Sequence, residues 1–546
     1  MSQTTTAVEH ELAEFAPISL HGAQPRASFD ESTTAEAGQQ PPPSQGRIFE
    51  AAQDPVGKYR ELAITTFIIS SNLVQFISNI IGIAAGLELA KSLGVKTGPG
   101  QANWIAASYP LTQGTFVLMS GRFGAVYGHK NILLAGGAWF VLWSLINGFC
   151  TNFIAFNTAR AMTGIGGALI MPNAVALIST TVPPGRLRNV SLGFLAASAP
   201  IGGWLGALIA GGFLKAVGWP WIFYLMAILG ACVFGPMPFL LPHERPVDRN
   251  GTIDWIGASL GTGGLILFNV VWNQAPAVGW STPYEGALLA VALVLLSSFI
   301  FWEAKYAKAP ILPLDIWKAP SFLPLVIVVL LNFMSFGTLL WYMVAWQQIL
   351  RHQSVLLFSV GWTPFALFAT LGALLAAWLI PRLAAQWMLA IGAGAVLVSN
   401  ILLATMPEKQ TYWAQVFPAT ILMSFCPDFV YTAAQIIASN SVKRHQQGIA
   451  ASLIGTLNLY GNSLGLGFAG TVETEVNKRR PDPVLGYRAA LIFGAGLAAI
   501  AIVLDVLFVR MVKDEREGWD PADEHAREDL VQASASRATG FQAAGS

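Results

Sequence analysis

The chain has 546 residues, of which 54% are apolar and only 11% charged, with a formal net charge of +1 and a mean hydropathy of +0.54. A soluble domain carries about 25% charged residues, so this composition excludes an ordinary soluble enzyme, and the near-zero net charge argues against a nucleic acid as partner. The apolar runs follow one another without a soluble-domain-sized gap, which predicts an all-α polytopic membrane protein between two polar tails.

Residues 1–58 are rich in Ser, Thr, Ala, Glu and Gln and contain Pro41, Pro42 and Pro43. Such a segment buries too little apolar surface to order itself, so a disordered tail is expected. No cleavable signal peptide is expected, because the first apolar run begins near Leu62 and is too long for a signal core. That run, 62–87, places Asn72, Gln75 and Asn79 nearly on one helical face. The next, 102–121, carries Tyr109 and Gln113 and ends in the stretch Gly121-Arg122-Phe123-Gly124-Ala125-Val126-Tyr127-Gly128-His129-Lys130. Glycines at its two ends predict a tight turn before the span 131–151. In the span 153–180 a cation, Arg160, is followed one turn later by Gly164, Gly166, Gly167 and Ala168. Small residues there let a neighbouring helix approach a buried charge. The span 189–214 contains Pro200, Gly202, Gly203, Gly206, Gly211 and Gly212, which make it bendable and closely packable.

After 219–241 comes the polar loop 242–252. Two further spans, 253–273 and 286–303, stand apart from six before (59–241) and six after (321–512), so 242–320 reads as a two-helix insert between repeated halves. Asp254 fits a helix N-terminus. The later spans are 322–350, with Asn332, Trp341 and Gln347; 357–380; 386–405; 414–438; 448–471, with Asn458 and Asn462; and 487–510. The span 414–438 places Asp428, Tyr431, Thr432, Gln435 and Ser439 on one face. A carboxylate at bilayer depth costs roughly 2.5–3.5 kcal/mol on insertion scales, so it is expected to face a bundle interior or a wet cavity. With polar faces on four helices, a central polar chamber is expected. Residues 513–546 form a second tail with the composition of a disordered one.

Lys and Arg divide as about 17 on one set of flanks and about 9 on the other, which predicts fourteen spans with both termini cytoplasmic. The run Lys478-Arg479-Arg480 breaks this pattern, and a count of twelve satisfies the same parity. Cys150, Cys232 and Cys426 lie in or beside apolar runs, with neither a disulfide framework nor metal-ligand spacing. No metal and no cofactor are expected. Seven scattered histidines, and the absence of H-E-x-x-H and G-x-S-x-G, argue against a membrane enzyme. The absence of a Walker motif argues against ATP drive.

The stretch from Gly121 to Lys130 resembles the G-x-L-x-D-x-x-G-[RK]-[RK] loop of the major facilitator superfamily, with Ala125 at the acidic position. Arg160 and the small residues after it resemble the superfamily's R-x-x-x-G-x-[GA]-x-A motif, and Pro200 with Gly203 is similar to the G-P-x-x-G-G motif of its exporters, with Ala199 before the proline. The stretches 98–131, 310–322 and 426–473 look like fungal fourteen-spanner drug:proton antiporters, in the branch of aminotriazole-resistance, boron-efflux and low-affinity ammonium transporters. The Asp-x-Thr pattern of many multidrug members is absent from the first span.

This resemblance implies the major facilitator fold, of two six-helix halves plus two linking helices, and proton-coupled export of a small organic compound such as a drug, toxin or secondary metabolite. Borate or ammonium is the alternative solute. It further implies Arg160 in proton coupling, Gly121, Arg122, Gly128 and Lys130 in a gating loop, and Pro200 and Gly203 in a bendable helix. Asp428, buried on its helix face, reads as the acid that takes up and releases the coupled proton or, alternatively, as a structural partner of a buried Arg that ties the halves together. The chamber would be lined by Asn72, Gln75, Asn79, Gln113, Asn332, Trp341, Gln347, Tyr431, Gln435, Asn458 and Asn462. The expected partners are a solute, protons and lipid, with the chain monomeric in the plasma membrane or, alternatively, the vacuolar membrane.

Overall fold

A backbone in hydrocarbon finds no water to bond, so each crossing segment must satisfy its own N–H and C=O groups, and the helix is how a single segment does so. The computed structural model describes residues 58–510 except 96–97, 183–185, 243, 245, 250 and 444–445, and contains no strand among them. The two expected tails lie outside the described residues.

The long helices are α1 (Lys58–Ala84), α2 (Trp104–Tyr127), α3 (His129–Phe149), α4 (Phe153–Thr181), α5 (Arg186–Ala216), α6 (Pro220–Phe234), α7 (Trp255–Val278), α8 (Pro283–Lys305), α9 (Phe322–Ala345), α10 (Thr363–Leu379), α11 (Ala385–Ala404), α12 (Val416–Ser441), α13 (Gln447–Arg479) and α14 (Pro483–Phe508). Short helices extend α6 (Met237–Leu240), precede α2 (Gly86–Ser92 and Pro99–Ala102) and precede α10 (Val355–Gly361), while Trp346–Leu350 continues α9 as one wide turn. Among the described residues twelve helices are long and apolar enough to cross a membrane. The helices α2 and α13, of 24 and 33 residues, stand outside that set. Both are buried along most of their length between other helices, which is where Gly, Ser, Asn and Gln can replace lipid-facing Leu and Ile.

Packing repeats itself between α1–α6 and α9–α14. In the first bundle α1 packs on α5, α2 and α3 on α4, and α3 on α6; in the second α9 packs on α13, α10 and α11 on α12, and α11 on α14. The bundles meet along two seams, α2 against α13 and α5 against α10. Gly114 of α2 lies so close to Tyr460 of α13 that a Cβ there would come within 2.5 Å of the Tyr460 nitrogen. The insert α7–α8 is a hairpin whose α7 lies over the α2–α13 seam. Asp254 caps α7 by accepting from Gly257 N at 2.9 Å, as its place in the sequence predicts.

One face of the molecule collects Arg60, the α2–α3 junction and the loop after α6. Arg60 donates to Leu240 O, Lys130 Nζ to Leu241 O, and Arg122 pairs with Asp248 at 2.8 Å. We call this the terminal face and the opposite one distal. The expected turn over 121–130 is corrected: α2 runs through Gly121 to Tyr127 and α3 starts at His129, so Gly128 is the whole connection. Its φ of +92° explains the glycine, since a side chain would be strained there. Gly121 remains helical, and Lys130 N donates to Glu244 Oε2 at 2.8 Å.

Candidate functional site

Four helices that bear an internal proline, α2 (Pro110), α4 (Pro172), α5 (Pro200) and α12 (Pro427), meet at the middle of the structure. A proline leaves one carbonyl of the preceding turn without its helical donor, a departure tolerated at membrane depth where the backbone lines a cavity or is buried in protein. Pro110, Pro200 and Pro427 border a cavity of about 360 Å³ between the bundles, and Pro172 borders a second of about 770 Å³ on its terminal side. The two share Met171, Val175 and Tyr431 and form one path leading to Arg122 and Asp254 at the terminal face.

The central cavity is chiefly apolar, walled by Phe76, Phe333, Phe336, Trp362 and Phe365, with polar groups at a few points: Asn72 and Asn79 of α1, Asp428, Tyr431 and Thr432 of α12, and Asn458 and Asn462 of α13. Asp428 Oδ2 has no hydrogen-bond partner, and no described cation pairs with this carboxyl. Asn79 Oδ1 and Asn462 Oδ1 are likewise unpartnered. Asn72 is anchored, its amide donating to Ser198 Oγ at 2.8 Å and Leu195 O at 3.2 Å. Gly203 and Pro200 form part of the α5 wall. Gln435 borders the outer path beside Tyr431 and donates to Ala451 O at 3.0 Å. Gly121 and Arg122 border it too.

Other residues expected at the chamber stand behind its wall. Gln75 is fully buried and donates to Asn72 Oδ1 at 3.0 Å while its own oxygen accepts from Gln113 Nε2 at 2.5 Å, so these amides tie α1 to α2. Asn332 donates to Cys426 Sγ at 3.2 Å inside the second bundle. Gln347 sits at the distal end of α9, accepting from Arg351 at 3.4 Å. Arg160 is only 1% exposed, borders neither cavity, and donates to Ser78 Oγ and Ser78 O at 2.9 and 2.8 Å beneath the Tyr109 ring. It does not meet Asp428.

The distal side is closed by contacts between the bundles. Trp341 Nε1 donates to Pro99 O at 3.1 Å, Gln348 Nε2 to Ala84 O at 2.7 Å, Ser359 Oγ to Ala207 O at 2.7 Å and Ser463 Oγ to Ala107 O at 3.0 Å. Trp341 therefore seals rather than lines the chamber. Sequence patterning missed Glu473, which is 3% exposed in this distal seal; the expected span 448–471 stops short of it, whereas α13 continues to Arg479. No local signal sets it apart, because the helix extension 472–479 also carries Glu475, Lys478 and Arg479.

The arrangement thus holds a solute-sized space, open to one face and sealed from the other, with one unpaired acid on its wall. A family model described as Major Facilitator Superfamily matches residues 67–466 and 325–542. The low affinity ammonium transporter of Saccharomyces cerevisiae is 37% identical over 415 residues, covering 74% of this chain and 80% of that protein. Efflux pump terJ of Aspergillus terreus is 34% identical over 428 residues, covering 77% and 82%. In fold, the crystal structure of the POT family transporter PepTSo superposes with a TM-score of 0.61 at 16% identity, over 82% of this chain and 97% of that one. The chain belongs to the Major Facilitator Superfamily and is a multi-pass membrane transporter of small-molecule solutes, not an enzyme.

Proposed function

We propose that the chain is a proton-coupled exporter of a small organic compound that works by alternating access. On this reading α1–α6 and α9–α14 are two six-helix halves, α2 and α13 also span the bilayer to give fourteen crossings, and the terminal face is cytoplasmic. The observation that carries the reading is Asp428, an acid without a cation, on the wall of a chamber closed distally and open at the terminal face. A bare carboxylate is costly to carry through an occluded intermediate in a low-dielectric site. The carrier therefore reorients readily only when Asp428 holds a proton or a bound solute. Since both use the same oxygens, they exchange across the membrane instead of travelling together. The aromatic lining of a 360 Å³ space supports an organic solute with a few hydrogen-bonding groups. The likeness to a protein named as an ammonium transporter and to one named as an efflux pump supports, respectively, a small inorganic solute as second reading and export as direction. The chain acts as a monomer, in the plasma membrane or the vacuolar membrane.

The test uses the full chain in sealed vesicles with an imposed pH gradient. Asp428→Asn is expected to abolish gradient-driven flux while membrane abundance and solute exchange at equal pH persist; gradient-driven flux at the parental rate would refute the coupling role. Scoring deletion and overexpression strains for tolerance to borate, methylammonium and a panel of organic toxins separates the two solute classes.

A further inference from the structure

The distal seal contains a second carboxyl that the exchange chemistry of Asp428 does not use. Glu473 of α13 belongs to the second bundle, yet its carboxyl lies against the backbone of the first. A Cβ on Gly100 would come within 2.6 Å of Glu473 Oε2 and 3.0 Å of Gly470 O, so the segment before α2 and α13 pack closely, and an added methyl group would push against the Glu473 carboxyl. The Gly98–Gly100 backbone lies against the Glu473 carboxyl from the first bundle, and the Tyr342 hydroxyl of α9 donates to Oε2 at 2.8 Å from the second. Tyr487 of α14 faces the same carboxyl, and Asn477, one turn on, lies 3.4 Å from Oε1. The nearby Glu475 and Lys478 pair with each other at the exposed edge of the helix. Among the described residues no lysine or arginine pairs with Glu473.

We infer that Glu473 is a proton-operated latch of the distal gate. The inference rests on the alternating-access reading. When the bundles part distally, the Gly98–Gly100 segment leaves Glu473 and water reaches its carboxyl. Closing over a carboxylate with no cation strips an anion of water, whereas closing over the neutral acid does not. Proton uptake from the distal medium therefore permits closure, and reopening returns the proton to the same side. The latch makes the closing step sensitive to distal pH without adding a proton to the exchange stoichiometry set at Asp428. This separates it from a coupling residue, whose proton crosses the membrane.

The experiment is hydrogen–deuterium exchange on the full-length protein in lipid nanodiscs. Backbone exchange at residues 98–106 is followed in acidic and alkaline buffer and corrected for intrinsic rates. In the wild type this segment is expected to open more readily as pH rises, by up to about tenfold per pH unit, the limit for one proton linked to one opening. Glu473→Gln, a permanently neutral mimic, is expected to stay protected in both buffers, and Glu473→Asp to recover the response. In vesicles, Glu473→Gln is expected to leave the proton-to-solute ratio unchanged while reducing the dependence of rate on distal pH to the part that Asp428 sets. A wild type whose segment is equally protected in both buffers overturns the proposal, as does a Glu473→Gln protein that responds like the wild type; the first readout needs no variant. Asp428→Asn tests the coupling reading separately, because it is scored by gradient-driven flux and not by protection at 98–106.

Discussion

Arg160 spends its guanidinium on Ser78, with Nη1 on the serine hydroxyl at 2.9 Å and Nη2 on the serine carbonyl at 2.8 Å. The same group lies 4.8 Å from the Tyr109 ring centroid and 5.8 Å from that of Phe223. It therefore joins α1, α2, α4 and α6 around one buried cation. This geometry is that of a rivet within one bundle. A lysine cannot make both bonds and stack at once, so Arg160→Lys is expected to lower the thermal unfolding temperature in detergent by several degrees. Residual transport by the variant is expected to keep the parental pH dependence. A variant of normal stability that transports without responding to pH would instead make Arg160 part of the coupling.

The buried amides divide into those that face the chamber and those that join helices, and the two sets predict different phenotypes. Asn79 borders the chamber with an unpartnered oxygen. Asn79→Ala is expected to raise the apparent KM for solute about three- to tenfold, the loss of one hydrogen bond of about 1 kcal/mol, with little change in thermal stability. Gln113 makes its bond to Gln75 behind the wall. Gln113→Leu is expected to do the reverse, lowering stability by about 0.6–2 kcal/mol as an interhelical bond is lost while KM stays near parental. Transport assays paired with thermal melts of both variants decide the assignment.

That division shows what a sequence can and cannot convey. Apolar runs located the long helices, because the bilayer requires a helix-length stretch for each crossing. The spacing of Asp428, Tyr431 and Thr432 placed all three on one wall, because α12 meets the chamber along a single face. The same spacing grouped Asn72, Gln75 and Asn79, yet only Asn72 and Asn79 reach the cavity while Gln75 turns to α2. Helical periodicity identifies a polar face but not whether its neighbour is a void or another amide. Trp341 and Glu473 act between the bundles, on partners some 242 residues away in sequence for Trp341, so no local pattern could mark them. The acid missing at Ala125 is a related case: Asp248, from the loop after α6, donates its N–H to Ala125 O at 3.0 Å and turns its carboxylate to Arg122.

That Arg122–Asp248 pair is expected to contribute little to stability. Its side chains are 34% and 42% exposed, and exposed ion pairs contribute about 0–1 kcal/mol. A double-mutant cycle of Arg122→Ala and Asp248→Ala, read by thermal unfolding, is expected to give a coupling energy below about 1 kcal/mol. Arg122 also borders the path to the chamber, so Arg122→Ala is expected to change transport rate more than stability. A coupling energy of several kcal/mol would show that the linker loop is a structural clamp.

The seam at Gly114 leads to the strongest steric prediction. With the Tyr460 nitrogen 2.5 Å and its Cα 3.0 Å from any added Cβ, Gly114→Ala cannot be absorbed by a flexible side chain, because the obstacle is backbone. Either α2 and α13 separate or one of them shifts along its axis. Overpacking of this kind costs about 1–3 kcal/mol. Tyr460 is held from the other side, its hydroxyl donating to Leu265 O of α7 at 2.8 Å, so the insert resists the shift. Gly114→Ala is expected to lower thermal stability and slow transport together, because α2 and α13 form a seam between the bundles that alternating access must rearrange. Tyr460→Phe in the same background frees α13 from α7 and is expected to recover part of the transport rate. Recovery of neither rate nor stability in the double variant would mean that α7 does not brace this seam.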